Sequence, residues 1–156
     1  AGERFPVVVF SHGLTASRET STSLGLSLAS AGAVVVLVEH TDRSSSLARL
    51  IDGGTIEYDH SVNALGFKPE TQAYKEGRRA QAALRADELQ RTLDFLVELN
   101  GGATPHRVTL DGVADTSTFT LCFRGALALE KLALGGHSFG GCAALSLAAH
   151  RLLSHG

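Results

Sequence analysis

Gly136-His137-Ser138-Phe139-Gly140 sets one serine between two glycines, each two residues away. A serine hydroxyl attacks an ester carbonyl when a histidine takes its proton and an acid orients that histidine. It also needs a sharp, strained strand-to-helix turn to push it outward, and glycines on either side let strand and helix approach without Cβ clashes. The pentapeptide alone is a weak signal in a chain so rich in glycine and serine. Gly25-Leu26-Ser27-Leu28-Ala29 nearly matches it within a predicted helix, and we assign Ser27 no chemistry. Context singles out Ser138: an apolar strand precedes it, a helix follows, and Gly141 eases their packing. The plainer alternative is a glycine-rich turn carrying a solvent-facing serine.

A second feature favours chemistry. Acyl transfer needs two N–H donors aimed at the tetrahedral oxyanion. Phe139, next after the serine, offers one amide at a helix N-terminus, where the dipole favours negative charge. The other belongs on a loop after a neighbouring strand, and His12-Gly13-Leu14 follows the first apolar run. By itself that segment reads as an ordinary strand-ending turn; beside an elbow it reads as half of an oxyanion hole.

The base is harder to find. The seven histidines are His12, His40, His60, His106, His137, His150 and His155. His137 adjoins the serine, but neighbours on an elbow point elsewhere. His150 and His155 lie a dozen or more residues along the outgoing helix, too far at about 1.5 Å per residue. His12 and His40 sit near strand C-terminal ends, the side on which such sheets bind ligands. Each reads as a hydrogen-bonded structural histidine rather than the base. No HExxH pair and no thiolate cluster suggests a metal, and no GxxxxGK[ST] loop suggests a nucleotide.

Composition narrows the class. The 156 residues suffice for one domain with a real core. Hydrophobic residues make up 44% and charged residues 19%, as in ordinary globular chains. Fourteen basic against sixteen acidic residues give a net charge of −2, with no basic stripe for nucleic acid. Cys122 and Cys142 form no CxxC and no disulfide framework, which leans towards a reducing, cytoplasmic compartment. The longest apolar run, Ala33 to Val38, is far below the roughly 20 residues of a membrane span. The chain shows no signal-peptide pattern, but it opens without an initiator methionine, so missing targeting signals carry no weight.

The elements that must position the serine follow from periodicity. Phe5 to Phe10 and Ala33 to Val38 are β-branched runs suited to strands buried on both faces. Between them Ser17 to Ala31 is weakly helical, with Leu24, Leu28 and Ala31 on one face and Gly32 as its stop. Residues 44–73 read as a polar, irregular, lid-like segment. Tyr74 to Leu99 is the strongest helix: Ala82, Ala86, Leu89, Leu93, Leu96 and Val97 share a stripe, with Arg85, Glu88 and Arg91 away from it. Asp87 and Arg91 form an i,i+4 pair, and Asn100-Gly101-Gly102 ends the helix. Residues 103–124 read as another irregular connection, and Leu132 to Gly135 as a third strand. The last helix carries Ala143, Ala144, Leu147 and Ala148. This alternation predicts an α/β fold, three parallel strands with helices on both faces. There is no internal repeat and no linker, so residues 1–156 read as a single domain.

Taken together, "FPVVVFSHGL", "VEHTDRSSS", "RRAQAALRADEL" and "LEKLALGGHSFGG" resemble the platelet-activating factor acetylhydrolase family of α/β-hydrolases, plasma and intracellular type II, from about Phe5 to Ala149. The resemblance implies metal-free, cofactor-free hydrolysis of short or oxidised sn-2 acyl groups of phospholipids, of the 1-alkyl-2-acetylglycerophosphocholine esterase type, at a membrane or lipoprotein surface. It implies Ser138 as nucleophile and the amides of Leu14 and Phe139 as oxyanion donors. Thr41 stands where the family has arginine, and Leu47 to Tyr74 aligns poorly, so acyl-pocket shape is not carried over. The family's triad acid and histidine lie downstream of the serine, which implies that they fall beyond Gly156 and that this is an incomplete domain, truncated after the elbow helix. Its Lys131 to Gly136 strand would then keep an unpaired edge. Two further readings stay open: an inactive truncated or lipid-binding relative, and another acyl hydrolase or acyltransferase of the same fold.

Overall fold

The computed structural model describes residues 2–50, 52–61, 71–103 and 116–154. Among these, three parallel strands form one sheet: β1 (Phe5–Ser11) at its centre, β2 (Val34–Val38) on one side and β5 (Leu127–Gly136) on the other. Val9 stands opposite Val36 in β2 and Leu134 in β5. Successive side chains of a strand point to opposite faces, so this register sorts the core. Val7 and Val9 are fully buried, packed with Leu89, Leu93, Leu96 and Leu147. Those leucines come from α2 (Gln72–Gly101) and α4 (Phe139–Ser154), which pack on each other. Burying each such side chain contributes about 1.5–3 kcal/mol.

The opposite face, with Phe10 beside Leu37, is covered by α1 (Thr22–Ser30), which follows a 3-10 turn at Arg18–Ser21. Contact is made at Gly25, where an added Cβ would come within 3.2 Å of Leu37 Cδ1. The expected apolar face of α1 is therefore displaced: Leu24 is exposed, Leu28 half-buried and Ala31 exposed, while Gly25 is buried. Close approach of a helix to a sheet favours the residue with no side chain. Gly32 ends this turn at φ +91°.

The third strand is longer than its sequence suggested, starting at Leu127 rather than Leu132. Glu130 and Lys131 interrupt the apolar run, but a bulge accommodates them: Pro6 pairs with Ala128, and Val8 already pairs with Ala133. Pro6 has no N–H to give to the ladder, and a bulge is where a strand tolerates that. Glu130 is thereby exposed and takes an ion pair from Arg4 at 2.9 Å.

α2 opens at Thr71, whose hydroxyl accepts from the Tyr74 amide, and ends against Gly102 at φ +86°. Its apolar stripe is largely as expected, except that Val97 is 59% exposed. The polar residues off that stripe part ways: Arg85 is fully buried and Glu88 is bonded to buried His40, whereas Arg91 lies at the surface, paired with Asp87. Residues 44–73 are not irregular throughout. β3 (Leu47–Arg49) and β4 (Thr55–Glu57) form an antiparallel hairpin turning at Gly53, φ +87°; residues 62–70 lie outside the described residues. Likewise α3 (Thr116–Phe123) occupies part of the expected connection 103–124, of which residues 104–115 are not described. Among the described residues no helix is long and apolar enough to cross a membrane.

Candidate active site

β5 ends at Gly136, α4 begins at Phe139, and the two residues between them make the turn. Ser138 has φ +53°, a left-handed conformation that costs a non-glycine residue about 1–3 kcal/mol and persists only where surroundings impose it. Those surroundings are backbone. A Cβ on Gly136 would lie 2.3 Å from the Gly140 carbonyl carbon, and one on Gly140 would lie 2.1 Å from the Ser11 carbonyl oxygen. The His137 amide donates to that Ser11 oxygen at 3.0 Å, tying the elbow to the end of β1. Ser138 itself is exposed, and its carbonyl accepts from the Gly141 amide at 3.0 Å, in the first turn of α4. Phe139 is the first helical residue, and amides there have no acceptor within their own helix.

The turn after β1 lies against the elbow. A Cβ on Gly13 would come 3.4 Å from Ser138 Cβ and 3.1 Å from His137 Nδ1. Leu14 follows, half-buried, and Thr15 is left-handed at φ +59° with its amide donating to the Ser44 carbonyl at 2.8 Å. The structure thus brings Gly13-Leu14 and Ser138-Phe139 to one place from segments more than 120 residues apart.

Beneath them lies a polar layer that sequence reasoning did not find. Arg85 reaches up from α2, fully buried. Its Nε donates to Asp42 Oδ2 at 2.8 Å, Nη1 to the His12 carbonyl at 2.6 Å, and Nη2 to Ser44 Oγ. Its guanidinium carbon is 4.9 Å from the centre of the Phe139 ring. Gln81, one turn earlier, donates to the Asp42 carbonyl at 3.1 Å. Buried charge is tolerated when every polar atom is satisfied in this way.

His12 and His40 complete the layer. The His12 ring bridges the Gly13 carbonyl (Nδ1, 2.8 Å) and the Glu39 carboxylate (Nε2, 2.9 Å). Burial would raise Glu39, but bonds from His12, the Arg18 amide and Ser45 outweigh it and hold it at about 2. His40 Nδ1 donates to Glu88 Oε2 at 2.6 Å, which leaves Nε2 to accept from the Ser11 hydroxyl at 2.7 Å. Burial pushes His40 down from its ordinary value, against the pull of Glu88. Burial works to raise Glu88 too, yet donation from His40 and from the Thr41 hydroxyl and amide brings it down. Thr41, the departure from the family pattern, is therefore a hydrogen-bond donor to Glu88 rather than one half of an ion pair. Ser11, His40 and Glu88 form a serine–histidine–carboxylate chain, but Ser11 and His40 have no exposed surface, so this chain braces the end of β1 out of reach of a substrate.

The remaining histidines are elsewhere. His60 packs edge-on against Tyr58, 5.3 Å between centroids, His150 is exposed on α4, and His106 and His155 lie outside the described residues. Among the described residues no three His, Cys, Asp or Glu side chains are grouped to hold a metal ion. A signal for the buried layer did exist: Arg78, Gln81, Arg85 and Glu88 recur at intervals of three and four along α2, the period of one helix face.

Comparison with known proteins bears on the family and the fold. Residues 1–152 match the family described as "Platelet-activating factor acetylhydrolase, isoform II". The platelet-activating factor acetylhydrolase of Canis lupus familiaris is 32% identical over 152 residues, 92% of this chain and 32% of the relative. That of Cavia porcellus is 31% identical over 140 residues, covering 90% of this chain and 31% of the relative. A "Putative phospholipase A2" of Schizosaccharomyces pombe is 28% identical over 155 residues, 92% of this chain and 35% of its own length. The chain thus spans about a third of the length of the curated relatives it matches. A ferulic acid esterase from Streptomyces cinnamoneus superposes with a TM-score of 0.58 at 22% identity, over 96% of this chain and 34% of that one. With its parallel sheet and flanking helices, the molecule has a partial α/β-hydrolase fold. The chain belongs to the platelet-activating factor acetylhydrolase isoform II family.

Proposed function

We propose that this chain carries the nucleophile and oxyanion hole of a serine esterase that removes short or oxidised acyl groups from the sn-2 position of phospholipids. Ser138 Oγ attacks the ester carbonyl, and the amides of Leu14 and Phe139 receive the developing oxyanion. Collapse of the tetrahedral intermediate breaks the bond to the glycerol oxygen, which leaves with a proton as the lysophospholipid alcohol. Water then hydrolyses the acyl-enzyme, releasing a carboxylic acid and restoring Ser138. On this reading residues 1–156 are one incomplete domain, and the triad's acid and histidine come from outside them, as in the family pattern. No metal or cofactor takes part, and the substrate is met at a membrane or lipoprotein surface.

The observation that carries the reading is the left-handed Ser138 pressed against the Gly13 turn. Family membership supports the lipid ester as substrate class. The test is Ser138→Ala in the complete natural protein, assayed on a phospholipid with an sn-2 acetyl group. The expected loss in kcat is at least roughly 10⁴-fold. Undiminished turnover would refute the assignment of Ser138. Loss of an aryl-ester activity in a protein that never cleaves the phospholipid would overturn the substrate class alone.

A further inference from the structure

We infer that Arg85 is the positioning residue that sets the two halves of the oxyanion hole against each other, an inference that rests on the esterase reading above. The two amides concerned come from segments with no covalent link nearby, one leaving β1 and one opening α4. Misplacing such donors by about 1 Å costs on the order of 100-fold in rate. Something must therefore hold the gap between them, and Arg85 touches both sides of it. Nη1 donates to the carbonyl of His12, two residues before Leu14, at 2.6 Å. The same guanidinium lies 4.9 Å from the ring centre of Phe139, the residue that bears the second amide.

The clamp is itself clamped. Asp42 takes Nε at 2.8 Å and Ser44 takes Nη2, so the guanidinium plane is fixed on both edges. Ser44 also accepts, through its carbonyl, the amide of Thr15 just beyond Leu14. Position therefore passes from α2 to the turn by two routes, and to the elbow by the aromatic face. Arginine suits this where lysine does not, because three fixed donors and a stackable plane are used at once. Arg85 has no exposed surface and Asp42 only 6%, so Arg85 acts through its neighbours and meets no substrate.

The test uses the complete natural protein. Arg85→Ala leaves Asp42 buried without a cation and invites unfolding, so the informative variants are Arg85→Lys, which keeps a charge there, and Phe139→Leu, which removes the ring and alters no charged residue. For each, kcat and KM are measured on a short sn-2 ester. A trifluoromethyl ketone analogue is then titrated, because its hemiketal oxygen occupies the hole. Arg85→Lys is expected to lower kcat roughly 10- to 100-fold with KM within about twofold, and to weaken the ketone by the same factor. Phe139→Leu should move both in the same direction by roughly 3- to 10-fold. A merely structural role predicts a lower Tm with unaltered kcat and an unaltered ratio of ketone affinity to KM; that result in Arg85→Lys overturns the inference. Ser138→Ala, run beside them, separates the two failures. If it stays active, the esterase reading and the clamp both fall; if it is dead while Arg85→Lys turns over normally, only the clamp falls.

Discussion

The two flanks of α4 are finished to different standards. At its N-terminal end, beneath Ser138, a polar layer joins buried Arg85, Asp42 and His40 to half-buried Glu88 by hydrogen bonds. Along its outer side, Leu145 is 72% exposed and Leu152 78% exposed. There Leu134, Gly135, Ala144, Leu145 and Ala148 line an open recess of about 280 Å³. β5, which borders this recess, pairs on one side only among the described residues. In the first region Arg85, Asp42, His40 and Glu88 satisfy one another and the neighbouring backbone, so its geometry is fixed from within. The second leaves ladder groups and leucines facing outward, the condition in which a surface takes a partner or a dye. The proposed nucleophile stands on the self-sufficient side.

Breaking the polar layer should cost most. Arg85→Ala strands a buried Asp42 and is expected to destabilise the complete natural protein by about 3–5 kcal/mol in urea titration; a cost below about 1 kcal/mol would mean that the layer is not what holds these strand ends. Next comes Gly140→Ala, whose methyl would meet the Ser11 and His12 carbonyls. A loss of about 3 kcal/mol is expected, because backbone on both sides cannot give way.

Acid should act on the same layer in two stages. His40 is pushed below its ordinary 6.5, so the unfolded chain takes up its proton first. The stability it contributes is complete above about pH 6.5 and declines as pH falls towards the folded value. Glu39, brought from 4.5 to about 2, adds stability that is whole above pH 4.5 and lost as pH falls towards 2. Urea midpoints measured from pH 8 to 3 should therefore fall with acid. His40→Gln should flatten the upper part of that curve and Glu39→Gln the lower; parallel curves would contradict the assignments.

The exposed flank should respond least. Leu145→Gln with Leu152→Gln in the 156-residue chain should alter stability by less than about 0.5 kcal/mol, while lowering the fluorescence of a bound hydrophobic dye. Unchanged dye binding would show that the leucines are not the sticky surface.

The contrast also explains what could be read in advance. The strands and the elbow were legible because β-branched runs and paired glycines act locally: Val7 to Phe10 favours a strand by its own residue types, and Gly136 and Gly140 prepare one bend. Arg85 and Glu88 fall off the apolar stripe, and their burial was not legible because helical period assigns a face without saying what lies opposite. Only the fold brings Asp42 and His40, more than 40 residues away, over that face. β3 and β4 were missed for a different reason. Three-residue strands with one buried residue, Ala48, carry too short a pattern to separate from a loop. The start of β5 was hidden by Glu130 and Lys131, whose exclusion depends on Pro6 in a distant strand.

One consequence of the crowded elbow concerns how this pentapeptide can vary. Gly136 and Gly140 are shut by main chain, Ser138 is twisted, and Phe139 rests on a guanidinium. His137 alone has an exposed side chain under none of these restraints, at the rim shared with Gly13. Of the five residues of the bend, His137 is the one whose replacement meets none of these contacts.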